Sequence, residues 1–308
     1  MKIIVTGGAG FIASHIVDEY VKAGHRVVII DNLSKGSRKN INPKAKFYKA
    51  DITDLALMEK IFKKEKPEVV NHHAAIAEVT LSMRDPIPTL TVNVLGTANV
   101  LLAFGHHGRG GAKRKFIFAS TGGAMYGDPK RVPVNETAAT DPLSPYGLSK
   151  QLAEETIKFY TKQFGFDYFI FRYANVYGPR QNPRGEAGIV AIFGALMKAG
   201  KTPTIFGDGT KTRDYVYVGD VAVANLAALR RGKNTTVNIG RGMLVTDRQM
   251  FEAIAHEVGF TGKPIYAPYR AGEIYRISLD AAKARKMLGW KPKTAFKKGI
   301  HEAVRGTK

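Results

Sequence analysis

Cysteine is absent from the 308 residues, which rules out disulfides, thiolate catalysis and any metal centre built on sulfur ligands. Eight histidines are present, but none has the spacing of a metal-binding motif such as two histidines four apart on one helix. The pairs His72-His73 and His106-His107 are adjacent, and adjacent side chains diverge on a helix or a strand, so they read as packing or surface residues. No metal is therefore expected. Acidic residues are scarce as well, with 26 Asp and Glu against 47 Lys and Arg, a formal charge of +21. Such an excess suggests an anionic partner. The basic residues are spread over the whole length with only short runs such as Lys63-Lys64 and Lys297-Lys298, and no RNA-binding or helix-turn-helix signature accompanies them, so a specific nucleic-acid partner is not expected. Abundant lysine without cysteine fits a thermophile's composition, and a basic envelope would steer a nucleotide substrate inward. No uninterrupted apolar run approaches membrane-spanning length and no leader precedes the first strand, so a cytoplasmic chain without a membrane partner is expected.

What is present begins with "MKIIVTGGAGFIASH", residues 1–15: an apolar strand, a glycine-rich turn and the start of a helix. Gly7, Gly10 and Ala13 have the spacing G-x-x-G-x-x-A, which lets a pyrophosphate approach the backbone amides of Phe11 and Ile12, where unpaired N–H groups and the helix dipole favour negative charge. A second strand, 26–30, ends in Asp31-Asn32, which puts an acid 24 residues beyond Gly7. That is the place of a ribose 2′-hydroxyl acceptor, and an acid there disfavours a 2′-phosphate, so the expected cofactor is NAD rather than NADP. An ordinary βαβ turn with a helix-capping Asp is the plainer alternative.

Further strands are expected at 47–50, 68–71, 115–120, 168–173 and 236–239, alternating with helices at 55–64, 88–107, 145–164 and 221–231. This alternation implies an α/β fold with a doubly wound parallel sheet (Rossmann), whose ligands lie outside the carboxyl strand ends. The motifs fall at those ends. Asp51-Ile52 follow the third strand, where an acid can reach an adenine amine, and the small Ala74 and Ala75 follow the fourth, leaving room for a cofactor. Asn93 sits in the middle of an apolar helical pattern, so it either bridges to backbone near the site or faces solvent. From 174 onward the loops are rich in Gly, Pro and Arg, which suits a smaller lobe with a helix at 185–200 and another at 246–258. The expected division is 1–173 with 214–240 for the dinucleotide and 174–213 with 241–308 for the substrate.

Tyr146 and Lys150 are four apart at the start of a helical stretch, so both side chains lie on one face. A cation near a phenol stabilises the phenolate, which a tyrosine needs if it is to act as a general base near neutrality. Tyr126 and Lys130 have the same spacing, but Gly127 and Pro129 make that segment a poor helix.

Together, "TGGAGFIASH", Asp31-Asn32, Asp51-Ile52, Asn93 in "NVLGT", the hydroxyl-bearing turn "STGGAMYG", Tyr146-x-x-x-Lys150 and "FRYANVYGPRQ" resemble the extended short-chain dehydrogenase/reductases, and among them most of all the UDP-glucose 4-epimerases. The resemblance runs nearly end to end. It implies C4 epimerisation of a UDP-hexose, possible acceptance of N-acetylated sugars included, by transient hydride transfer to bound NAD through a 4-keto sugar. It also implies a homodimer built from the helices around 89–107 and 145–164. Ala13 departs from the family's usual third glycine.

The resemblance assigns Tyr146 and Lys150 to catalysis together with a Ser or Thr before "Y-G"; here the loop holds one extra residue, so Thr121 is the first choice and Ser120 the second. Tyr173 and Tyr177 are assigned to the cofactor, and Asn175, Arg213 in "GDGTKTRD" and Arg270 in "RAGE" to the substrate diphosphate or ribose, with Thr121 and Tyr146 at its sugar. Ile277 stands where a bulky tyrosine narrows the sugar pocket in some relatives, so an N-acetyl group is expected to be tolerated. Gly122-Gly123 replace the Asp-Glu pair of the 4,6-dehydratases, which excludes that reaction. A UDP-glucuronate 4-epimerase or decarboxylase remains an alternative, and so does a binding or sensing protein without activity.

Overall fold

The computed structural model describes residues 1–109, 114–184 and 188–306. Seven strands form its main sheet: β1 (Lys2–Thr6), β2 (Arg26–Asp31), β3 (Lys46–Lys49), β4 (Val69–His72), β5 (Lys115–Thr121), β6 (Asp167–Tyr173) and β7 (Thr235–Ile239). Their order is β7-β6-β5-β4-β1-β2-β3, and every neighbouring pair is parallel. The direction of winding reverses between β1 and β4, so the crevice for a ligand opens there, beyond the carboxyl ends. Strands covered on both faces read as continuous apolar runs, and β5 is buried along all of its length.

One face is covered by α1 (Phe11–Lys22) and α6 (Val218–Ala228), whose Ile16, Val17, Val221 and Ala224 join the sheet's core. The other is covered by α2 (Leu55–Glu65), α3 (Pro86–His107) and α4 (Pro145–Phe164), through Phe62, Phe104 and Ile157. A third cluster is built by α5 (Ile189–Lys198), α7 (Asp247–Val258) and α8 (Phe296–Gly306), with Phe193, Phe251 and Ile300 at its centre. α7 starts with a capping box in which Thr246 and Gln249 satisfy each other's backbone amides. Of the helix expected at 185–200, Gly185, Glu186 and Ala187 lie outside the described residues.

Three expectations are corrected. α3 begins at Pro86, contains a π-helical turn at Thr91–Leu95 and is a 22-residue helix with mean hydropathy 1.5, long and apolar enough to cross a membrane by length and composition. Here it packs between α2 and α4, with polar Asn93 turned inward. The stretch 274–290 was expected in the substrate lobe, yet Ile274, Leu279, Leu288 and Trp290 belong to the sheet's core, and the Trp290 indole donates to the Asp220 carbonyl at 2.8 Å. Finally, His72 is a packing residue, held between the hydroxyls of Thr6 at 2.6 Å and Thr97 at 2.9 Å, but its neighbour His73 reaches the cavity.

Phe116 is fully buried in β5, with its ring against those of His72, Phe104 and Phe166. Phe116→Ala should lower the unfolding free energy by about 3–5 kcal/mol in denaturant titration.

Candidate active site

A cavity of about 1110 Å³ opens at the carboxyl ends of the strands, walled on one side by the glycine turn and on the other by the lobe helices. Gly7 has φ +68°, and a Cβ there would stand 2.7 Å from the Ala74 amide nitrogen, so the turn after β1 and the chain after β4 meet backbone to backbone. Only glycine permits that approach. Gly10 caps α1 without any side-chain hydrogen bond, which leaves the first-turn amides of the helix open to a ligand. Gly7, Gly10, Phe11, Ile12 and Ala13 line the cavity, and Ala13 is otherwise buried in the core, so its methyl group is accommodated. This cradle fits a dinucleotide pyrophosphate.

The other expected cofactor contacts divide. Ala75 is on the wall, whereas Ala74 serves through its backbone behind Gly7. Asp31 is 7% exposed and accepts hydrogen bonds from the amides of Ala9 at 3.0 Å and Leu33 at 2.8 Å, so it ties the loop after β2 to the glycine turn. Asn32 donates to Asp51 at 2.7 Å. Burial works to raise the Asp51 carboxyl, but hydrogen bonds from Thr53 and Asn32 hold it below its usual range. Ile52 packs under Gly96. Asn93 spends its whole amide on protein: it accepts from the Ile76 amide at 2.8 Å and donates to the Ile76 carbonyl and to Ser149, both at 2.9 Å. Of the two readings of Asn93, the bridge to backbone near the site is the one present, and it reaches the stretch that lines the cavity.

Ser144 caps α4 and presents Tyr146 and Lys150 in its first two turns. Burial pushes the Tyr146 phenol up to about 12, opposed by a hydrogen bond with the Thr121 hydroxyl. Burial pulls Lys150 down to about 7, opposed by the charge of Glu154. The Lys150 ammonium donates to the Ala119 carbonyl at 2.8 Å and sits 4.7 Å from the centre of the Phe118 ring. Its hydrogen bond thus goes to strand β5 and that of the phenol to Thr121. Ser120, the second choice for the catalytic hydroxyl, donates instead to Glu154 at 2.6 Å, away from the phenol. Sequence reasoning missed His73, which lines the cavity and meets the Tyr173 hydroxyl at 3.3 Å. Burial and the nearby Lys150 charge bring its imidazole down to about 3, so it is neutral. The divergence of adjacent side chains was the available signal, since His72 ends β4 and His73 follows it with a different environment.

On the lobe side, Asn175, Arg213 and Arg270 all line the cavity. Arg213 donates to the carbonyls of Thr212 and Tyr275, and Arg270 pairs with Glu273 and lies 4.1 Å from the Phe206 ring centre. Lys211, which the motif reading passed over, is 6% exposed at the side chain and joins Glu273 to Asp247 on the same wall. Tyr173 accepts from Asn225 at 2.8 Å. Tyr177 reaches the cavity edge, but its ring packs among Tyr215, Tyr217 and Phe296 in the lobe core rather than standing free for a cofactor. Ile277 is 1% exposed in the sheet's core and is not among the cavity-lining residues, so it offers no reason to expect a wider sugar pocket.

Comparison with known proteins agrees with this geometry. The family described as NAD dependent epimerase/dehydratase matches residues 3–240. A UDP-glucose 4-epimerase of Mycolicibacterium smegmatis is 41% identical over 99% of this chain and 97% of its own length. The crystal structure of a UDP-glucose 4-epimerase with UDP-glucose from Thermotoga maritima superposes with TM-score 0.96 at 44% identity, covering 99% of this chain and 98% of the other. That of a Thermus thermophilus UDP-glucose 4-epimerase complexed with NAD gives 0.94 at 39% identity, covering 100% and 99%.

A methyl group at Gly7 would collide with backbone that cannot move aside. Gly7→Ala should therefore abolish NAD binding in calorimetry while leaving the circular dichroism spectrum of the fold; retained affinity would show that the turn does not hold the pyrophosphate.

Proposed function

The chain belongs to the NAD dependent epimerase/dehydratase family, and on that premise we propose that it inverts C4 of a UDP-hexose, interconverting UDP-glucose and UDP-galactose. The observation that carries this reading is the single cavity in which Thr121, Tyr146 and Lys150 stand on one wall and Arg213 and Arg270 on the other. Bound NAD supplies the acceptor and donor for the C4 hydride. The chain's own groups do the rest. Arg213 and Arg270 hold the substrate diphosphate and ribose, for which guanidinium is suited by its paired donors. Asn175 closes that grip beside Gly123.

Tyr146 takes the proton of the sugar 4-hydroxyl, with the Thr121 hydroxyl as its hydrogen-bond partner and relay. A phenol held near 12 is a poor base at neutral pH. The reaction therefore depends on positive charge close to it, from Lys150 and the occupied cofactor site. Loss of hydride and proton gives a 4-keto sugar, which turns about its diphosphate and is reduced on the other face, with Tyr146 returning the proton. Gly122 and Gly123 provide no acid or base for water elimination, which supports epimerisation over dehydration.

The assembly is a homodimer on this reading. α3 and α4 leave an apolar strip in the open, with Ile87 65%, Leu95 60% and Phe159 64% exposed, and Leu148 and Leu152 at 42% each. A groove of about 290 Å³ between the two helices is lined by Ile87, Leu90, Val94, Leu95 and Leu152. A second copy of the same two helices would cover it in a four-helix packing.

Two outcomes are expected. Tyr146→Phe should reduce epimerisation by about 10²–10⁴-fold, as for the loss of a general base, without loss of bound NAD; undiminished turnover would remove Tyr146 from the chemistry. Leu152→Glu should halve the molar mass seen by light scattering, and a wild-type monomer would refute the dimer.

A further inference from the structure

Glu154 lies one turn beyond Lys150 on the same face of α4 and is 1% exposed. No step of the reaction touches it. Its carboxylate is gripped by Arg172 from β6, with Nε at 2.9 Å from Oε1 and Nη2 at 2.7 Å from Oε2, and by the Ser120 hydroxyl from β5 at 2.6 Å. Arg172 in turn donates through Nη1 to the Tyr126 hydroxyl at 3.0 Å, and Tyr126 donates to Asn238 of β7 at 2.8 Å. The same three residues at the end of β5 therefore carry the acceptor for Lys150 (Ala119), the donor to Glu154 (Ser120) and the partner of Tyr146 (Thr121).

The charges around Lys150 are few. His72 comes from the end of β4 and His73 from the residue after it, and burial disfavours the charged form of both. From α4 come the Tyr146 phenol and Glu154, and from β6 the Arg172 guanidinium, which stands beyond the Glu154 carboxylate. Strand β5 offers only hydroxyls, a carbonyl and the Phe118 ring. Glu154, one turn from Lys150 on the same helix face and buried like it, is thus placed to favour the ammonium.

We propose that Glu154 and Arg172 are positioning residues that set the charge on Lys150, Glu154 by favouring the ammonium and Arg172 by neutralising part of that carboxylate, while Ser120 fixes the pair to the strand end that carries Thr121. This rests on the reading of Lys150 as a working cation in an epimerase. The pair is buried and bidentate, so its field is screened little by water. An ordinary structural ion pair would hold helix to strand without governing the proton on a neighbouring lysine.

The test uses three variants of the full chain: Glu154→Gln, Arg172→Met and the double variant. The Lys150 side chain is titrated by nitrogen NMR, its signal identified by its absence in Lys150→Met, and the pH profile of kcat is recorded alongside. Removing the anion should move the Lys150 midpoint down by about one unit or more, and the alkaline fall of kcat with it, because the ammonium is then lost at lower pH. Arg172→Met should move both upward, because the carboxylate is no longer shared. The double variant, with neither charge, should lie below wild type and decides the matter if Arg172→Met does not fold. Midpoints that stay at the wild-type value, or move the same way in both single variants, would overturn the proposal even if kcat falls. A wild-type chain without epimerase activity would refute the functional reading, and the NMR titration would still report separately on Glu154 and Lys150.

Discussion

The contact on which the site depends is the one that a side chain would forbid: Gly7 against the backbone of Ala74, with a Cβ position 2.7 Å from the amide nitrogen. It brings the ends of β1 and β4 together at the point where the sheet's winding reverses. Everything around the cavity is referred to that closure. α1 leaves it with no side-chain cap at its N-terminus, Asp31 is bound back to Ala9 across it, and His73, the residue preceding Ala74, is placed on the wall. The hydrogen bonds of Asn93 to Ile76 hold the next few residues in the same position from behind.

Burial then governs the chemistry, and it acts in opposite senses on the two groups that matter. Taking a phenol out of water raises Tyr146, and taking an ammonium out of water lowers Lys150. Each shift resists the charged form that the reaction needs. On the function proposed above, positive charge close to the phenol has to offset both shifts. The Glu154 carboxylate, held between Arg172 and Ser120, works against the loss of charge at Lys150 from below.

Much of this was legible in the residues. β1, the glycine turn and α1 stand where the apolar spacing puts them, and Tyr146 and Lys150 share a face of α4 as their separation requires. What escaped sequence reasoning depends on contacts distant in the chain. Ser120 and Thr121 are adjacent hydroxyls that motif spacing ranks with Thr121 first; what spacing does not show is that Glu154, 34 residues from Ser120, engages Ser120 while Thr121 meets the phenol. Lys211 gives no local signal, because its two partners, Asp247 and Glu273, come from later loops. Ile277 was misplaced for the same reason: an isoleucine after an arginine motif looks like a pocket residue until the core closes over it. Asp214, next to the cavity-lining Arg213, is likewise a structural residue, accepting the amides of Arg241, Gly242 and Leu279.

On the proposed function, this cavity inverts C4 of a nucleotide sugar without net oxidation. The most direct measurement is chromatography of UDP-glucose after incubation with the intact chain and NAD, with absorbance followed for reduced cofactor. UDP-galactose formed to an equilibrium mixture, with no accumulation of NADH, is the predicted result; unchanged UDP-glucose, or a product that appears in step with NADH, would contradict it.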